Sequence, residues 1–548
     1  MNQQAIMHHS NGSYAFMNRD KELIIRIKVA ANQTKIVVLI GGDPYDWGSN
    51  AGVTQGGDDS SIWQNTTYHA KHKFQFDQYD IYEFKIKPEF KRFRYFFKII
   101  DKSNNNAYYY ENGLSNDKLL FGHEFVVPYL HYNDQNIPPS WVNDTIWYQI
   151  FPDRFYTDNP KINWQRSKPS NEKIFGGDIQ GIISKLDYIQ ELGFNGLYLT
   201  PIFKAETAHK YDTTDYYQID PDFGEIDDFK QLVKECKKRS IRLILDAVFN
   251  HTSKNHPFFV DVINKGENSK YSQYYHISDY TNLKKASQLK DIRHLPSYET
   301  FAFTPDMPKL KTTNPEVKKY LLEVTKYWTD LGIDGWRLDV ANEVDADFWR
   351  EFRQCVIKSN PNAYIVGEIW HDPSKWLNGD QFHNTMNYPL MLSLFDLMQN
   401  DSYSTEKFKN YYLQKMLEST HQVFDTSFNL LDSHDTMRLI NRVNNNENKA
   451  FQIIALLLSL NGSPSLYYGS EIALAGGNDP DNRRAMPWHK IDKLVKTNLH
   501  TKIKQYIFLR RNNKLFRQGE IMFLDNQNNK LLEFVKSFNS ESFTFIFN

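Results

Sequence analysis

Arg337 and Asp339 stand two residues apart in Gly335-Trp336-Arg337-Leu338-Asp339-Val340-Ala341. In a β-strand, residues i and i+2 project from one face, so a guanidinium and a carboxylate would look into the same space. A neighbouring cation favours the ionised carboxylate and is expected to lower the pKa of Asp339. The ionised form is the one that attacks as a nucleophile. The competing explanation is a structural ion pair at a strand end, and the heptapeptide alone does not choose between the two. Three other short runs carry the same kinds of group: Asp246-Ala247-Val248-Phe249-Asn250-His251, Gly367-Glu368-Ile369-Trp370-His371-Asp372 and Leu431-Asp432-Ser433-His434-Asp435-Thr436. Together the runs offer three carboxylates (Asp339, Glu368, Asp435) and three groups suited to hydrogen-bonding a polar ligand (His251, Arg337, His434). A lone histidine at a strand end is usually a satisfied core residue, and a lone aspartate there usually caps a helix. Four such runs at four strand ends are harder to explain by capping.

These residues lie far apart along the chain, so the fold must gather them. From residue 144 onward, short apolar stretches alternate with helical patterns. Strands are predicted over 145–151, 194–200, 241–248, 333–338, 363–367, 385–388, 426–431 and 465–468. Helices are predicted over 179–192, 227–239, 315–331 and 346–358. Eight strands alternating with helices argue for a parallel (β/α)8 TIM barrel. Barrel enzymes collect their chemistry at the C-terminal ends of the strands, and the four runs follow strands three, four, five and seven. Residues 252–312 are too many for an ordinary connection and read as an inserted subdomain. Residues 1–130 alternate with period two between turn residues and read as an antiparallel β-sandwich. A linker at 131–143 leads to the barrel at 144–513. Residues 514–548 return to strands as a short C-terminal β-domain. We expect it to be truncated, with Phe545 and Phe547 on a strand that lacks sheet partners and leaves apolar area exposed.

Composition narrows the function. The 548 residues are 40% hydrophobic, enough for more than one core. With 65 Lys+Arg against 66 Asp+Glu, there is no electrostatic case for nucleic acid or an anionic membrane. Cys236 and Cys355 fall in two helical patterns and have no metal-ligand spacing, which fits buried thiols in a reducing compartment. The first residues show neither a basic nor an apolar leader segment. The longest apolar run, 453–460, is too short to cross a bilayer. A cytoplasmic location is the expectation.

In this order, the four runs resemble the α-amylase family of glycoside hydrolases. Further segments resemble its neopullulanase, cyclomaltodextrinase and maltogenic amylase branch: Val340-Ala341-Asn342-Glu343-Val344, Met307-Pro308-Lys309-Leu310, His209-Lys210-Tyr211-Asp212, and Gly462-Ser463-Pro464-Ser465-Leu466-Tyr467-Tyr468-Gly469-Ser470-Glu471. Ala5-Ile6-Met7-His8-His9 and Gly42-Asp43-Pro44-Tyr45-Asp46-Trp47 resemble the starch-binding-type sandwich that precedes the barrel in that branch. By position, the resemblance implies Asp339 as nucleophile, Glu368 as general acid/base and Asp435 as the third carboxylate. It places Arg337, His251 and His434 around the sugar at the cleavage point, and Tyr211 stacked beneath it. Trp370 and Glu343 would line the acceptor side, with Asp246 and Asn250 in supporting positions. It implies a retaining hydrolase of α-1,4 and some α-1,6 bonds in cyclodextrins, maltooligosaccharides or pullulan, with transglycosylation. It also implies a homodimer in which the sandwich of one chain covers the cleft of the other. No cofactor is required. Calcium near 155–164 is an option with a degraded ligand pattern: Asn159, Asn163 and Asp178 could supply oxygens, but Thr157 and Ile162 stand where acidic or amide ligands are expected. The alternatives are an exo-acting α-glucosidase or oligo-1,6-glucosidase, and a non-catalytic glucan-binding relative. The latter would be expected to have lost one of the three carboxylates.

Overall fold

The computed structural model describes all residues except 1, 48–62, 117, 119–121, 132–133, 163, 165–167, 401, 525–527 and 529. The chain forms two compact units: Met1–Ile137 with Tyr403–Phe424, and Pro138–Ser402 with Asp425–Asn548.

The second unit is built on eight parallel strands: β1 (Trp147–Ile150), β2 (Gly196–Leu199), β3 (Arg242–Ala247), β4 (Gly335–Leu338), β5 (Tyr364–Gly367), β6 (Asn384–Thr385), β7 (Phe428–Leu430) and β8 (Ser463–Tyr467). Their order is β6-β5-β4-β3-β2-β1-β8-β7. A parallel bridge between Met386 and Phe428 closes β6 onto β7, completing the expected barrel. Nearly every strand residue is buried, because helices cover the outer face and side chains fill the inner one. The helix Ile226–Lys238 shows how that cover is made: Phe229, Leu232, Val233 and Cys236 are buried, one stripe at helical spacing. Asn314 and Asp345 cap the helices Pro315–Asp330 and Ala346–Ser359, each accepting backbone N–H bonds. Trp147, Trp328, Trp336 and Trp349 are fully buried. Burial of a large apolar side chain contributes roughly 1.5–3 kcal/mol.

Register sets the height of the site. Asp246 lies beside Arg337, Arg337 beside Val366, and Leu338 beside Gly367. This pairing needs a glycine at the start of β4: a Cβ on Gly335 would sit 2.0 Å from the Tyr364 carbonyl oxygen.

Two expectations are corrected. The sixth strand does not run over 385–388, because Tyr388 begins the helix Tyr388–Gln399. The Asn387 side chain accepts from Leu390 N and Pro389 occupies the first turn, where a missing N–H costs nothing. At the C-terminus, Glu541–Phe547 does have a partner. It is the third strand of an antiparallel sheet with Glu520–Phe523 and Leu532–Phe538. Phe545 stands opposite Phe534, stacks on it at 4.9 Å, and is buried. Phe547 also stacks on Phe534, whereas Phe543 and Ile546 remain exposed. Within 252–312 the longest helix is Pro257–Lys265, among short helices and irregular turns, tethered by bridges His251–Lys309 and Tyr275–Leu310.

The first unit holds two antiparallel sheets. One contains Leu23–Ala30 and Tyr79–Ile86, the other Thr34–Gly42 and Phe93–Asp101. Trp47 and Trp63 are core, packed with Ile40, Phe96 and Tyr110. The segment Tyr403–Phe424, which falls between β6 and β7 in sequence, is fastened to this unit. Buried Arg26 donates to Glu83 Oε2 (2.9 Å), to Leu417 O (2.9 Å) and to Ser419 O (2.8 Å). His421 Nε2 lies 2.9 Å from the same Glu83 oxygen. Among the described residues, no helix is long and apolar enough to cross a membrane.

Candidate active site

The wholly buried guanidinium of Arg337 organises the rim of the barrel. Its Nη1 donates to both oxygens of Asp246 at 2.8 Å and to Asp339 Oδ1 at 2.9 Å. Its Nη2 lies 2.8 Å from Glu368 Oε2. One cation therefore serves three carboxylates from the ends of β3, β4 and β5. Removing one partner of a buried ion pair costs about 3–5 kcal/mol, so Arg337 supports the fold as well as the site.

Arg337 does pull the Asp339 pKa down, as expected, but the net shift is upward and corrects the expectation of a lowered value. Burial pushes the Asp339 carboxyl well above the usual carboxylate range. Arg337 opposes that rise, while Glu368, Asp246 and Asp435 add to it. The field of a cation divided among three carboxylates does not outweigh desolvation and their mutual repulsion. Asp246 is likewise raised to about 6, chiefly by burial.

Glu368 accepts from Val340 N at 3.0 Å through Oε2 and from Trp370 Nε1 at 2.9 Å through Oε1. Val340 follows Asp339 and is left-handed, at φ 45°. That conformation is rare for a β-branched residue and marks a strained turn beside a functional group. The half-exposed Trp370 ring stacks on Tyr388 at 3.5 Å.

Across the rim, His434 Nδ1 lies 2.8 Å from the Gln149 side-chain amide nitrogen. That nitrogen can only donate, so Nδ1 accepts and the proton of neutral His434 resides on Nε2. His434 Nε2 closely contacts the Tyr211 hydroxyl and lies 3.2 Å from Asp435 Oδ2. The Tyr211 hydroxyl in turn donates to Asp246 Oδ2 at 2.9 Å, and Tyr198 does so at 2.8 Å. Burial, then Arg337 and Arg483, holds His434 well below the usual imidazole range, so it stays neutral. Burial raises Asp435.

The structure thus joins Arg337, Asp339, Glu368 and Trp370 to Tyr211, His434 and Asp435 through Asp246. Two expected residues stand slightly apart. The His251 ring stacks on Phe301 at 5.2 Å, its Nε2 is buried without a partner, and burial holds it down at about 3. Glu343 Oε2 lies 3.2 Å from Lys309 Nζ, which also donates to Glu343 O at 3.0 Å and closely contacts Asn250 Oδ1. Sequence reasoning missed Gln149, Tyr198, Tyr388, Asn482 and Arg483. The signal for the last two was their place after β8, since that loop also belongs to the rim.

Of the expected calcium ligands, the two that are described do not fit a hard cation. Asp178 Oδ1 accepts from Gly181 N at 2.6 Å as a helix cap, its Oδ2 accepts from the Thr157 hydroxyl, and Asn159 Oδ1 accepts from Lys161 N at 3.0 Å. Asn163 lies outside the described residues. The oxygens that a hard cation needs are taken up by the protein's own donors. Among the described residues, no cluster of three or more His, Cys, Asp or Glu could hold a metal ion.

Comparison with known proteins gives the family. Residues 149–540 match "Alpha amylase, catalytic domain" and residues 1–131 match "Alpha amylase, N-terminal ig-like domain". A cyclomaltodextrinase of Geobacillus thermopakistaniensis is 40% identical, over 100% of this chain and 91% of that protein. An intracellular maltogenic amylase of Bacillus subtilis is 37% identical, over 100% of this chain and 91% of its own length. A solved cyclomaltodextrinase structure superposes with a TM-score of 0.90 at 35% identity, covering 100% of this chain and 91% of that one. With its catalytic barrel and its N-terminal module both matched, the chain belongs to the α-amylase family of glycoside hydrolases.

Proposed function

We propose that the chain is a retaining α-glucan hydrolase that cleaves α-1,4 bonds, and some α-1,6 bonds, in cyclodextrins, maltooligosaccharides or pullulan. The observation that carries this reading is the single guanidinium of Arg337, which lies against both Asp339 and Glu368. Two carboxyls held on one cation suit the short separation, roughly 5–5.5 Å, of a retaining enzyme. Asp339 attacks the anomeric carbon while Glu368 gives its proton to the departing oxygen, leaving a covalent glycosyl-enzyme. Glu368 then takes a proton from water, which releases the sugar, or from a sugar hydroxyl, which gives transfer. Asp435, His434, His251 and Arg337 hold the sugar ring, and Tyr211 offers the flat face beneath it. Trp370 and Glu343 line the acceptor side.

Incubation with β-cyclodextrin, soluble starch and pullulan tests this reading. Maltose-sized products are expected, and the first product seen by NMR should be the α-anomer. Initial β-anomer would mean inversion, and glucose as the sole product from maltotriose would favour the exo-acting alternative.

We also read the protein as a cytoplasmic homodimer. The name of the Bacillus subtilis relative and the two free cysteines support the location. An exposed apolar patch on the first unit supports the dimer. Arg92 lies over Tyr45 at 4.6 Å and over Phe90 at 5.0 Å, and Lys91 lies near Tyr129. Aromatics beside arginine are the composition of protein interfaces. Sedimentation at rising concentration should show the mass doubling, with activity on cyclodextrin relative to starch rising alongside. A monomer at all concentrations would overturn the dimer.

A further inference from the structure

Asp435 sits on the loop after β7, beyond the last residue of the strand. Among the described residues its carboxylate has loose partners, His434 Nε2 at 3.2 Å and Arg483 Nη2 at 3.6 Å. Something else must hold it in place. The wholly buried Asn482 side chain does this from the loop after β8. Its Nδ2 donates to three carbonyls that surround Asp435: His434 O at 2.6 Å, Thr436 O at 2.8 Å and, more weakly, Ser433 O at 3.4 Å. Each is an acceptor, so only the orientation with the amide nitrogen there makes bonds. The Asn482 Oδ1 is left buried without a partner. Leaving a buried amide oxygen unpaired is unfavourable, which suggests that the nitrogen's bonds are what this position retains.

Asn482 is itself braced. Its main-chain oxygen accepts from Arg438 Nε at 2.7 Å. The Arg438 guanidinium lies over the rings of Tyr467 at 3.9 Å and Tyr468 at 4.4 Å, at the end of β8. Arg483 adds a bond from Nε to His434 O at 2.9 Å. The stiffness of β8 is thereby passed, through Arg438 and Asn482, to the backbone on both sides of Asp435. A charged group stabilises a transition state only if it is already in place when charge develops.

We propose that Asn482 is the positioning residue for Asp435, clamping the carbonyls that flank it so that its carboxylate is fixed before the sugar arrives. This rests on the role read for Asp435 above. The test is a double-mutant cycle on α-maltosyl fluoride, a substrate reactive enough to leave a measurable rate when Asp435 is changed. Asn482→Ala is expected to lower kcat about 100-fold, the scale of a misplacement near 1 Å, with KM within about threefold. In the Asp435→Asn background, the same change should cost less than about threefold, because the group that it positions is gone. Asn482→Ser keeps one donor and should fall between. Equal losses in both backgrounds would mean a general structural role and would overturn the proposal. So would a wild-type rate in Asn482→Ala. If Asn482→Ala lacks a cooperative melt, Asn482→Ser decides in the same cycle. Near-wild-type turnover by Asp435→Asn alone would instead remove the role of Asp435 itself.

Discussion

Asp339→Asn is expected to lower turnover of maltotriose by at least about 10⁴-fold, the scale of losing a catalytic nucleophile, and to raise the melting temperature. The first effect follows because an amide of equal volume does not form the glycosyl-enzyme. The second follows from linkage. The folded-state pKa of Asp339 is raised, first by burial. A group whose pKa rises on folding contributes stability below its unfolded pKa. That contribution is lost as pH climbs from the unfolded value through the folded one. At neutral pH the ionised carboxylate therefore costs stability, and the neutral amide removes the cost. Arg337 keeps Asp246 and Glu368 as partners in the variant. Kinetics and thermal melts at pH 7 check both halves. Near-wild-type hydrolysis would sink the assignment, and a lower melting temperature would sink the electrostatic argument.

Glu368→Gln should lose about 10³-fold on maltotriose, within the range for a general acid and base, yet behave differently with α-glucosyl fluoride. Fluoride departs with little protonation, so the first step persists. The second step lacks its base. The expected trace is a burst of about one fluoride per active site, followed by slow release, as for other accumulated covalent intermediates. Equal suppression of both substrates without a burst would contradict the role given to Glu368.

The barrel was legible because alternation of short apolar stretches with helical patterns survives without any partner information. The rim was legible because Asp246, Arg337, Glu368 and His434 all come at strand ends. The boundary of β6 was not, since Asn387 and Pro389 act by capping and by a missing donor, which a hydrophobic pattern does not register. The proton position on His434 depends on Gln149, 285 residues away in sequence. The direction of the Asp339 shift was misread because an i, i+2 pair reveals one cation beside one carboxylate. It reveals neither the depth of burial nor that Asp246 and Glu368 share the same guanidinium. Pairings across the barrel mouth belong to the closed fold and leave no local trace.

The segment Tyr403–Phe424 packs with Met1–Ile137, although most of a barrel separates them in the chain. During synthesis, the amino-terminal module therefore emerges early but waits for its last piece. At about 5–20 residues per second, the wait lasts tens of seconds, during which the Leu417 and Ser419 carbonyls that Arg26 will bind do not yet exist. Arg26 and Glu83 must meanwhile be held by each other or by solvent. Exchange of this module between relatives follows the same logic. A chimera cut at the linker alone would bring one protein's Arg26 against another's helix, so a compatible graft must carry two stretches of sequence rather than one.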